Sequence, residues 1–165
     1  MAEETFRRYS FRELNELDHL DVDALCSLFT IEMGGEDFYN GLADRVGNDE
    51  AAQLLRRNGR EEAGHARRLR RAIALKLGRA FEPTPDMLQR RPVQLPEVID
   101  PQLLPSLVTG ELDGDAGYQR WADHEPDPEV ARLLRLNGRD ESVHGRRVEQ
   151  AIALLSGSQG SGSEG

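Results

Sequence analysis

The sequence has almost no cysteine and no long apolar run. Its single cysteine, Cys26, excludes an intramolecular disulfide, a zinc finger built on cysteines and a cysteine-ligated iron site within these residues. Cys26 lies in an apolar stretch, which is typical of a small core residue rather than a nucleophile. No segment approaches the roughly 18–20 apolar residues of a membrane-spanning helix, and the first ten residues lack the apolar block of a signal peptide. We therefore expect no membrane partner and a cytoplasmic protein.

Basic residues are also scarce relative to acidic ones. The chain has 21 lysines and arginines against 30 aspartates and glutamates, which gives a net charge of −9. Nucleic acid selects basic surfaces, because binding neutralises phosphates. We therefore expect no nucleic-acid partner.

The most informative feature that is present is an internal repeat with an offset of 79 residues. Matches without a gap at one offset indicate a duplicated structural unit. The matching positions are Glu32 and Glu111, Tyr39 and Tyr118, the segments 58–62 and 137–141, His65 and His144, the arginine pairs 67–68 and 146–147, and the segments 72–75 and 151–154.

Each repeat is predicted to form a hairpin of two helices. In the first hairpin, about 22–77, the helices cover about 22–46 and 49–77, with Asp21 as N-cap and Gly78 as the C-terminal stop. In the second, 105–155, they cover about 105–124 and 128–155. The proline-rich segment 79–101 is predicted to cross between the hairpins. The domain is thus a four-helix bundle over 21–155, after an N-terminal extension, 1–20, with a short helix near 11–17. Residues 156–165 are a Gly/Ser-rich tail that we expect to be disordered.

Both second helices contain Glu-x-x-His, a spacing that places the two side chains on one helix face. Each first helix offers an inward glutamate 30 residues earlier, and a turn placed midway brings positions so spaced to about the same height in a hairpin. One Glu-x-x-His alone is often a solvent-exposed pair, but two copies with partner glutamates favour a two-metal site. The predicted metal ligands are Glu32, Glu62, His65, Glu111, Glu141 and His144.

The charges of this set suit two divalent cations. Four buried carboxylates repel one another and lose solvation, and two such cations offset their charge. Carboxylate and imidazole ligands without thiolate favour iron or manganese. We therefore expect two iron ions, with manganese as the alternative.

These residues resemble the ferritin-like superfamily and, within it, the rubrerythrin-like di-iron proteins, over about residues 22–155. In that family an inward tyrosine follows the first-helix glutamate by seven residues, as Tyr39 and Tyr118 do here. An acidic residue often precedes the Glu of Glu-x-x-His and partners a histidine, the place held here by Glu61 and Asp140. Ordinary core packing is an equal alternative for the tyrosines.

The resemblance implies an all-α, ferritin-like four-helix bundle and a division of roles among the ligands. Glu62 and Glu141 would bridge the two ions, Glu32 and Glu111 would be terminal ligands, and each histidine would bind one ion. The implied activity is oxidation of a di-ferrous centre by hydrogen peroxide or oxygen. Ferroxidase activity with iron storage or delivery, and a non-catalytic bundle stapled by metal, are the alternatives.

The sequence also departs from the rubrerythrin pattern. The family's additional glutamate, three residues after the third-helix ligand, is replaced by Gly114, and the matching position is Gly35. Glu36 and Asp115 can substitute for it or lie on an exposed face. The cysteines of a rubredoxin-type domain are missing, so a catalytic protein would need an external electron donor. We also expect a homo-oligomer, with a dimer favoured.

Overall fold

The chain is helical and contains no strand in the residues that the structure describes. The structure is a computed structural model that describes residues 6–90 and 93–158. A short 3-10 helix, Pro101–Leu103, leads into α5. The helices are α1 (Phe11–Asn15), α2 (Val22–Glu32), α3 (Gly35–Ala43), α4 (Asp49–Leu77), α5 (Leu104–Asp123) and α6 (Pro128–Ser158). The all-α prediction is confirmed. Among these helices, none combines the length and the apolar composition needed to span a bilayer.

Capping residues set the ends of α2 and α4. The Asp21 side chain accepts a hydrogen bond of 2.8 Å from the backbone N–H of Ala24, as predicted for an N-cap. Asn48 does the same for α4, at 2.9 Å from the N–H of Ala51. At the other end of α4, Gly78 has φ of +65°, the left-handed conformation that terminates many helices.

The first helix of the first repeat differs from its prediction. Residues 22–46 were expected to form one helix, but it breaks at Met33 and Gly34, and α3 ends at Ala43. A tight turn replaces the helix there, with the N–H of Gly34 3.0 Å from the carbonyl oxygen of Ile31. Gly34 and Gly35 are consecutive glycines, which lower helix propensity. The second repeat has aspartate at the place of Gly34, and α5 is continuous.

The two ends of the chain need smaller corrections. The N-terminal helix stops at Asn15, and α6 continues to Ser158, so the first residues of the predicted tail are helical. The rest of that tail, residues 159–165, and residues 1–5 of the extension lie outside the described residues. The extension is not separate from the core, because Leu14 is fully buried and the indole N–H of Trp121 donates to the carbonyl oxygen of Leu17 at 2.9 Å.

The long helices pack as two hairpins joined through α4 and α6. The α2–α3 pair packs on α4, α5 packs on α6, and α4 packs on α6. Matching surface ion pairs support both hairpins, with Arg56 2.6 Å from Asp44 and Arg135 2.6 Å from Asp123. The repeat seen in the sequence is therefore also a repeat in the packing.

Two apolar clusters fill the core, one at each end of the molecule. One includes Leu69 and Leu134, and the other includes Leu55 and Val148. The start of α4 thus packs with the end of α6, so the two helices are antiparallel. Between the clusters lies a layer of buried polar side chains. Cys26 belongs to the first cluster, as expected, and burial raises the pKa of its thiol to about 11.

Candidate metal centre

The polar layer brings together the six predicted metal ligands. Both histidines are fully buried, and the four glutamates are 5–8% exposed. Four helices contribute: α2 by its last residue, α5 from its middle, and α4 and α6 by one Glu-x-x-His each. The members are Glu32, Glu62, His65, Glu111, Glu141 and His144.

These six residues form two overlapping groups, each with its ligand atoms close enough together to hold a metal ion. Within each group, one ligand atom from every residue lies within 4.8 Å of the others. His65 belongs to one group and His144 to the other, whereas Glu62 and Glu141 belong to both. Two carboxylates shared between two adjacent groups can therefore contact both of a pair of ions. The groups are Glu32, Glu62, His65 and Glu141, and Glu62, Glu111, Glu141 and His144.

The histidine Nδ1 atoms point into the cluster. Nδ1 of His65 lies 3.3 Å from Glu62 and 3.5 Å from Glu141, and Nδ1 of His144 lies 3.1 Å and 3.5 Å from the same two residues. Neither Nδ1 atom has a hydrogen-bond partner among the described residues. A buried polar atom without a partner is rare in proteins, and a metal ion is the partner that suits an imidazole nitrogen among carboxylates.

The Nε2 atoms point outward, each to a carboxylate of the opposite hairpin. Nε2 of His144 forms a hydrogen bond of 3.2 Å with Glu61, whereas Nε2 of His65 lies 3.4 Å from Asp140, without a hydrogen bond among the described residues. Glu61 and Asp140 are the acidic residues that the sequence singled out as histidine partners. Such a partner fixes the orientation and tautomer of a ligating histidine. Here each histidine is oriented by the hairpin to which it does not belong.

Arginines hold these outer carboxylates in place. Arg68 lies 2.7 Å from Asp140, and Arg147 donates two hydrogen bonds to Glu61, at 2.7 and 3.0 Å. Burial opposes ionisation of Asp140, but the nearby His65 ring and the hydrogen bond from Arg68 outweigh it and lower its pKa to about 2. Asp140 therefore stays ionised at neutral pH.

Each of these two arginines also donates a hydrogen bond to a buried asparagine. Asn58 accepts from Arg147 at 3.0 Å and donates to the carbonyl oxygen of His144 at 3.2 Å. Asn137 accepts from Arg68 at 3.0 Å and donates to the hydroxyl of Tyr118 at 3.3 Å. The sequence interpretation gave these asparagines and arginines no role, although all four recur at the repeat offset, which was the available signal.

The two predicted tyrosines contact the terminal glutamates crosswise. The hydroxyl of Tyr39 donates to Glu111, and that of Tyr118 donates to Glu32. Both tyrosines are buried, and burial with the nearby carboxylates raises their pKa values well above the usual range. They stay protonated, so each acts as a hydrogen-bond donor to a carboxylate of the other hairpin.

Without a cation, the cluster balances its charges with protons. Burial opposes protonation of His144, but the nearby carboxylates of Glu111, Glu141 and Glu62 outweigh it and raise its pKa to about 11. The pKa of His65 is raised for the same kind of reason. Burial also raises the pKa values of two glutamates, Glu32 and Glu141. The metal-free cluster thus retains protons that metal ions would replace.

Several other residues considered from the sequence lie outside the cluster. Asp115 accepts from the Ser142 hydroxyl, and Glu36 lies 3.8 Å from Arg90, so neither joins a metal-binding group. His124 ends α5, where its Nδ1 lies 2.8 Å from the carbonyl oxygen of Arg120. A histidine in this position can hydrogen-bond one of the last carbonyl oxygens of the helix and so cap its C-terminal end.

The arrangement can hold two cations in a buried site with defined carboxylate and imidazole ligands. Comparisons of the chain with protein-family models, with curated proteins and with solved structures found no match. Function is therefore inferred from the geometry of the site.

Proposed function

We propose that the chain is a ferritin-like four-helix bundle that holds two iron ions and oxidises them from the ferrous state with hydrogen peroxide or oxygen. The observation that carries the proposal is the pair of ligand groups that share Glu62 and Glu141. The antiparallel packing of α4 and α6 supports the same fold, because it places the two Glu-x-x-His motifs at one height.

The residues present fit such a pair of ions. Four carboxylates match the charge of two divalent cations, and each group provides a histidine Nδ1 atom that has no hydrogen-bond partner in the described part of the chain. When bound, two ferrous ions would supply two electrons, which together with two protons would reduce one hydrogen peroxide to two waters, or one oxygen molecule to hydrogen peroxide. The ligands are oxygen and nitrogen atoms, as iron and manganese prefer.

The surrounding side chains have separate tasks in this proposal. Asp140 and Glu61 orient the histidines, so that Nδ1 faces the ions. The tyrosine hydroxyls stay protonated and donate hydrogen bonds to Glu32 and Glu111. Burial of the cluster limits water, which strengthens the charge interactions within it.

The proposed activity is tested by loading the protein anaerobically with Fe(II) and mixing it rapidly with each oxidant. We expect about two ferrous ions per chain and one fast phase of ferric near-ultraviolet absorbance. Further turnover should need an added reductant, because the described residues include no second redox-active metal group. The variants His65→Ala and His144→Ala should lose the fast phase, whereas His124→Ala, outside the cluster, should retain it.

Two outcomes would contradict the proposal. Tight binding of iron without a fast phase with either oxidant would favour the metal-stapled, non-catalytic bundle. Repeated turnover with no added donor would mean that electrons reach the site by a route that the proposal lacks.

A further inference from the structure

A groove between the α2–α3 pair and α5 reaches the acidic cluster. It has a volume of about 480 Å³, and the four cluster glutamates form part of its floor. The walls are largely apolar and include Phe11, Leu28, Ile31, Phe38 and Leu107. A concave, mainly apolar site with a few convergent polar groups is the usual form of a small-molecule site.

Gly110 lines this groove at a place where helix packing does not require a glycine. It lies on α5, and a Cβ atom added there would meet no atom within 4 Å. A larger residue would fit and would favour the helix. Gly35 differs, because a Cβ atom there would lie 2.7 Å from Cγ of Glu62. Close packing therefore explains Gly35, whereas a side chain at Gly110 would enter open space.

The charge of the groove indicates the chemistry of its occupant. Within the described part of the chain, neither lysine nor arginine lines it, so an acidic head group would find no partner. At the rim, Phe11 is 48% exposed and Ile31 is 40% exposed. An uncharged molecule loses no charge solvation on entry, and its apolar surface is removed from water against these walls.

We propose that the groove binds an uncharged, mainly apolar organic molecule, with one end against the metal-facing carboxylates. This inference rests on the proposed function, because that function places the metal ions at the floor of the groove. The alternative occupant of the groove is a second copy of the chain, and the experiment distinguishes it from a small molecule.

The test uses Trp121, the only tryptophan in the chain, which lines the groove. The probe is 8-bromo-1-octanol, whose bromine quenches nearby indole fluorescence, and 8-bromooctanoate is its anionic counterpart. Fe(II)-loaded protein under anaerobic conditions and metal-free protein are titrated in parallel. We expect saturable quenching by the alcohol and weaker binding of the carboxylate.

Two matched substitutions locate the binding. Gly110→Leu fills the groove and should weaken alcohol binding about tenfold or more. Gly157→Leu, a helical glycine on α6 that does not line the groove and where an added Cβ atom also meets no atom of the described residues within 4 Å, is the control and should bind as the unmodified chain does.

Each outcome bears on a different proposal. Non-saturating quenching, or equal binding by the Gly110→Leu variant, overturns the groove assignment. So does sedimentation of a dimer that the Gly110→Leu substitution converts to a monomer, since the groove would then be an interface. Saturable binding without iron uptake keeps the groove assignment and overturns the proposed function.

Discussion

The six residues of the buried Glu/His cluster were predictable one by one, but the residues that hold them in place were not. Glu62 and His65 stood out because their motif recurs with partner glutamates. Arg67 and Arg68 also recur as a pair, yet only Arg68 reaches the opposite hairpin, while Arg67 is exposed. Repetition shows that a position matters to the structure, but the direction of a side chain depends on how α4 packs on α6.

The arginine contacts lead to a prediction about metal affinity. Arg68→Ala and Arg147→Ala should weaken Fe(II) or Mn(II) binding by about 10–100-fold, because Asp140 and Glu61 would no longer be held against the histidines. The loss should be greater for Arg147, which donates two hydrogen bonds to Glu61. Titration against a competing chelator measures the effect.

The neighbouring arginines provide the control. Arg67 and Arg146 are exposed and occupy equivalent repeat positions, so their alanine variants should bind metal normally. If all four variants bound equally well, the outer carboxylates would not depend on arginine.

Among the elements, α2 and α3 depart most from the sequence prediction. Helical periodicity continues through residues 22–46, so the pattern alone favoured one helix. The break at Met33 and Gly34 follows Glu32 directly. The ends of α4 were predictable because its caps are local, whereas the break depends on consecutive glycines and on close packing against α4.

That close packing predicts different effects at two equivalent glycines. Gly35→Ala would place a Cβ atom 2.7–2.9 Å from three atoms of Glu62, and such overpacking costs about 1–3 kcal/mol. Gly114→Ala meets Glu141 at 3.5 Å, an ordinary contact, and should gain up to about 1 kcal/mol of helix stability.

Urea unfolding of the metal-free variants measures both changes in stability. A metal titration of each variant shows whether Glu62 can still act as a ligand. We expect Gly35→Ala also to weaken metal binding, since Glu62 belongs to both ligand groups. Equal stability of the two variants would mean that α3 is not packed against α4 as described.

Across the whole molecule, the polar layer links the two hairpins between two apolar clusters. Such a layer is stable only if its charges are balanced, by protons or by cations. In the metal-free protein the balance comes from protonated His65 and His144. Metal loading should therefore raise the melting temperature, because ions that bind only the folded state stabilise it.

The pH dependence of this stabilisation has a definite sign. The folded pKa of His144, about 11, lies above its ordinary value of 6.5. Its contribution to metal-free stability is therefore complete below about pH 6.5 and is lost as pH rises toward 11. Metal binding strengthens over the same range, since protons compete less for the ligands. The difference in melting temperature between loaded and metal-free protein should widen from about pH 6 to pH 9.

Thermal melts of both forms at several pH values test this sign. His124→Ala should keep the widening, because His124 lies outside the cluster, whereas His144→Ala should reduce it. A difference that stayed constant or narrowed with rising pH would contradict the proposed exchange of protons for metal.

The most direct test of two ions between the hairpins is a crystal structure of the iron-loaded protein with anomalous data collected at the iron edge. We expect two anomalous peaks per chain, about 3.5–4 Å apart, with Glu62 and Glu141 contacting both and one histidine Nδ1 at each. No peak in the polar layer, or iron bound only at the surface, would contradict the account.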